Sequence, residues 1–77
     1  MEQLGVKMKR RVSYDPLWRM LKLRNITQKD LWEKARISAS TCQKLRQNEN
    51  VTMDTLIRIC NVLNCNIDDI MELVEEG

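Results

Sequence analysis

The chain has 77 residues, a net charge of +2, two glycines, one proline, no histidine and no phenylalanine. That length allows one domain with a modest core. Scarce glycine and proline argue against a turn-rich sheet protein, so the reading is all-α. No apolar run is long enough to cross a membrane. The basic N-terminus lacks an apolar stretch and cleavage site behind it, so the expected compartment is the cytoplasm.

Residues 1–13 read as a basic N-terminal arm holding Lys7, Lys9, Arg10 and Arg11. Leu4, Val6, Met8, Val12 and Tyr14 fall on even positions, a strand signal. A lone strand finds no partner in an otherwise helical chain. The arm is therefore expected to be flexible, or to pair with its copy in a dimer.

Asp15-Pro16 opens a first helix, with Asp15 as cap and Leu17, Met20 and Leu21 on its apolar face. Thr27 caps a second helix that runs to about Ala35, with Asp30 suited to its positive end. Ser38 caps a third, spanning 39–47. Thr52 caps a fourth, whose Leu56, Ile59, Cys60 and Leu63 form the cleanest helical stripe. Asn64 is placed to end it in a left-handed conformation. Asn66 is expected to cap a short fifth helix with Ile67, Ile70, Met71 and Val74 on one side. Residues 14–72 thus form the domain, and 73–77 an acidic C-terminal tail.

Charge is unevenly spread. Residues 1–48 hold twelve Lys or Arg against four Asp or Glu, whereas 49–77 hold Arg58 against seven acids. This suggests one face for an anionic polymer and another that avoids it. Cys42, Cys60 and Cys65 are odd in number and lie near core positions, so they are read as free thiols. No metal site, cofactor or small-molecule ligand is indicated. With no histidine, no Gly-rich phosphate loop and no base beside a cysteine, the chain is not expected to be an enzyme.

The stretch 27–48 carries the functional argument. Leu31 and Ala35 lie on one helix face, Cys42 and Leu45 on another, and Ile37 stands between them. This describes two short helices joined steeply by a tight turn. The segment contains Thr27, Gln28, Leu31, Ile37, Ser38 and Leu45, with Cys42 in an Ile place. It resembles the repressor and Cro type of helix-turn-helix domain, whose pattern is roughly Thr-Gln-x-x-Leu-Ala-x-x-x-Gly-Ile-Ser. Two residues depart from that pattern. Trp32 stands where the family has Ala, and its indole must point outward or open the helix angle. Arg36 stands where the family has Gly, at a position that often needs positive φ.

The resemblance covers about residues 14–72. It implies a compact five-helix repressor-like domain of the short phage or mobile-element type. The implied function is sequence-specific regulation of transcription on double-stranded DNA, with helix 39–47 in the major groove. Ala39, Ser40, Gln43 and Lys44 face outward and suit base edges. Thr27, Gln28, Ser38, Arg46, Gln47, Asn48 and Asn50 are expected at phosphates, joined by Lys9, Arg10 and Arg11 of the arm. So short a reading helix implies a homodimer. The alternative is a protein-interaction module on the same scaffold, such as an antitoxin or a partner of another regulator.

Overall fold

A computed structural model describes residues 9–76. Strand β1 (Lys9–Ser13) leads into helices α1 (Asp15–Leu23), α2 (Gln28–Ala35), α3 (Ala39–Arg46) and α4 (Met53–Leu63). A 3-10 turn (Ile67–Asp69) and strand β2 (Glu72–Glu76) complete the order.

The helix boundaries follow local chemistry. Thr27 Oγ1 accepts from the Asp30 N–H at 3.1 Å, Ser38 Oγ from Thr41 at 3.3 Å and Thr52 Oγ1 from Thr55 at 3.2 Å. Each satisfies a backbone donor that the first helical turn leaves open. Asp15 itself is the first residue of α1, and Tyr14 occupies the cap position without a side-chain capping bond to the helix. Ser13 Oγ accepts from the Asp15 N–H there instead, at 3.3 Å. Arg36 (φ 57°) and Asn64 (φ 54°) end α2 and α4 in the left-handed conformation. Both were marked by the sequence, Arg36 as the turn position and Asn64 as the helix stop.

The all-α, five-helix expectation needs correction. Four α-helices are present, together with a two-stranded antiparallel sheet. The segment expected as a fifth helix makes only the 3-10 turn before the chain extends. The residues read as an acidic tail form most of β2, and they are the partner that β1 lacked in the sequence. The register sets Lys9 opposite Glu76, Arg10 opposite Glu75 and Val12 opposite Leu73. Opposite charges and apolar pairs directly across a ladder stabilise it by about 0.2–1 kcal/mol each. That tertiary gain outweighs the helical spacing of Ile67, Ile70, Met71 and Val74. Lys7 and the arm's Leu4, Val6 and Met8 lie outside the described residues.

The core joins β1 and all four helices. Val12 and Tyr14 meet Leu17 and Leu21 of α1, Leu31 and Ala35 of α2, Leu45 of α3, the α4 stripe and Ile70. Each buried leucine or isoleucine contributes about 1.5–3 kcal/mol. Trp32 neither points outward nor stands alone. It is half-buried and meets Trp18 edge-on, with ring centroids 6.1 Å apart and planes at 86°. Among the described residues, no helix is long and apolar enough to cross a membrane.

Candidate nucleic-acid interface

The α2–turn–α3 unit presents α3 on the surface. Leu45 and Cys42 are buried beneath it, and Ile37 in the turn is half-buried against the core. With that side held down, Ala39, Ser40, Gln43 and Lys44 are all exposed. Thr41, at the side, is half-buried. The outward set expected from the spacing is therefore outward in the fold.

The flanking residues divide by task. Thr27 and Ser38 are exposed, but their hydroxyl oxygens serve as helix caps. Ser38 also donates to Thr41 Oγ1 at 3.1 Å. Gln28 is the first residue of α2, and its Oε1 accepts from Arg46 Nε at 3.2 Å. This bond ties the start of α2 to the end of α3. It leaves the Gln28 amide group and the rest of the Arg46 guanidinium as donors. Gln47 and Asn50 are exposed.

Asn48 is half-buried at φ 58°, and its Oδ1 accepts from the Tyr14 N–H at 3.0 Å. Tyr14 returns the link by donating its hydroxyl to the Glu49 carbonyl at 2.8 Å. These two bonds pin the β1–α1 junction under the loop that follows α3.

Lys44 is the meeting point of the site. It lines one groove with Thr41, Asn50, Thr52 and Thr55, between α3 and the start of α4. It lines a second with Arg11, Gln47, Asn48 and Asn50, between α3 and the sheet. Arg11 is thus brought beside α3. Lys9 and Arg10 are exposed on β1 but stand opposite Glu76 and Glu75. The acidic segment does not occupy a separate face from the basic arm; it pairs with it. Thr52 and Thr55 were absent from the sequence-based site, because the cap pattern already accounts for Thr52 and nothing local marks Thr55.

The thiols do not supply a nucleophile. Cys42, Cys60 and Cys65 are free. Burial pushes the Cys42 thiol up against the pull of Arg46. Burial, then the neighbouring Cys65, pushes Cys60 up to about 11. Burial raises Cys65 as well, so all three stay protonated near neutral pH. Phosphate recognition and base-edge readout are what this surface can do: an exposed helix, a helix start with free donors, and cations at the rim.

The model of the Cro/C1-type helix-turn-helix DNA-binding domain matches residues 16–76. Among solved structures, this chain is similar to the crystal structure of transcriptional regulator VanUg, form II. The TM-score is 0.86 and the identity 41%, over 99% of this chain and 100% of that one. No curated protein matches.

Proposed function

Because this chain belongs to the Cro/C1-type helix-turn-helix DNA-binding family, we propose that α3 enters the major groove of double-stranded DNA and reads its sequence there. The protein is a DNA-binding transcriptional regulator, as its full-length likeness to VanUg supports, and it acts in the cytoplasm where that DNA lies. The carrying observation is the exposed row Ala39, Ser40, Gln43 and Lys44 above a buried Cys42 and Leu45. Gln43 is suited to adenine, Lys44 to guanine, Ser40 to either and Ala39 to a thymine methyl. Phosphates are held at the rim by Arg11, Gln47 and Asn50, and by the linked Gln28 and Arg46. Thr27, Ser38, Asn48, Lys9 and Arg10 contribute at the edges, the first three mainly by shaping backbone donors.

One domain offers a single short reading helix. Specific binding therefore uses a homodimer on a roughly palindromic site, with half-site centres about 34 Å apart. Selection of sites from random duplexes with the purified protein tests the reading. A recovered, inverted half-site motif is expected, with binding that falls steeply as salt rises. Recovery of unenriched sequence would refute specific readout.

A further inference from the structure

The surface of α1 opposite the core carries the most exposed large apolar side chain among the described residues, Leu23, at 87% exposure. It borders a groove with Pro16 and Met20 on one side and the 3-10 turn and the start of β2 on the other. The rims carry opposite charges. Arg19 stands on the α1 rim; Asp68 and Glu72 stand on the far rim. Asp69 is on that rim too, but its Oδ2 already accepts from the Asn66 N–H at 2.9 Å.

Among the described residues, the one ion pair is Arg58 with Asp54 on α4, at 2.7 Å. Among these described residues, Arg19, Asp68 and Glu72 thus have no charged partner. An apolar centre between unpaired charges of opposite sign is self-complementary under two-fold rotation. Turning a second copy through 180° sets its acidic rim on Arg19 and its Arg19 on the acidic rim.

Another exposed apolar pair, Met53 and Ile57 on α4, fits this role less well. Its flanking charges, Asp54 and Arg58, are already paired. It also lies on the helix whose first turn borders the Lys44 groove. The α1 groove shares no residue with either groove that Lys44 lines, so it leaves α3 free.

We infer that the homodimer forms through this α1 groove, with Leu23 at its centre and Arg19 of each copy facing Asp68 and Glu72 of the other. This rests on the homodimer reading above and names its surface. A charge swap on the full chain tests it, read by sedimentation equilibrium with circular dichroism as the folding control. Arg19→Glu alone, and Asp68→Arg with Glu72→Arg alone, are each expected to weaken self-association at least about tenfold. An equimolar mixture of the two variants is expected to dimerise like the parent, because both charge pairs are restored. Leu23→Lys, at a side chain that supports no core contact, is expected to give the same loss. If the parent dimerises and the variants do so equally well, the α1 surface is wrong and the dimer stands. A parent that stays monomeric free and on DNA overturns both.

Discussion

Asn48 performs two tasks at once, and two substitutions separate them. Its side-chain oxygen satisfies the N–H of Tyr14, a residue only 1% exposed. Its backbone holds φ 58°, which asparagine tolerates better than most residues. Asn48→Ala removes the acceptor and leaves a buried donor open, at about 1–3 kcal/mol. It also puts an ordinary Cβ in the left-handed region, adding roughly 1 kcal/mol. Asn48→Gly loses the same acceptor but carries no Cβ. The alanine variant should therefore lose about 2–4 kcal/mol and the glycine variant about 1 kcal/mol less. For a domain of this size each kcal/mol moves Tm by roughly 4–8 °C. Urea titrations and thermal melts of the parent and both variants measure the differences. An alanine variant as stable as the parent would remove the pin between Tyr14 and the loop after α3. A glycine variant no better than alanine would remove the backbone part of the argument.

Arg36 is exposed and also sits at positive φ, 57°, so Arg36→Gly should raise stability by up to about 1 kcal/mol; an unchanged or lower Tm would count against strain there. Cys60 titrates at about 11 in the fold, above its ordinary value. Its stabilising contribution is therefore complete below that ordinary value and is lost as pH rises through about 11. The urea midpoint should fall across this alkaline window, and more gently in Cys60→Ala; parallel pH profiles would show that another group controls it. Gln43→Ala should alter preference at one base position and weaken the best site by about 1–3 kcal/mol. Site selection with a normally folded variant that returns the parent motif would remove Gln43 from readout.

Much of this protein was legible from contacts within one turn of a helix. The Thr27, Ser38 and Thr52 caps, the left-handed stop at Asn64, the buried stripe of α4 and the outward row on α3 all depend on neighbours a few residues away. Those interactions are set by residue type and spacing, so the amino-acid order determined them and, with them, the two-helix unit that carries function. Long-range choices were not legible in the same way. Residues 67–74 satisfy helical spacing on their own, yet β2 forms because β1 lies alongside with a complementary register. The Trp18–Trp32 contact, the Arg46–Gln28 bond and the Tyr14–Asn48 pin likewise join separate elements. Asn48 shows the consequence: in the sequence it is one more polar residue beside a reading helix, and only the approach of Tyr14 makes it a structural acceptor. Tertiary structure decided these features because a ladder or a buried hydrogen bond takes its energy from a partner whose position no local pattern specifies.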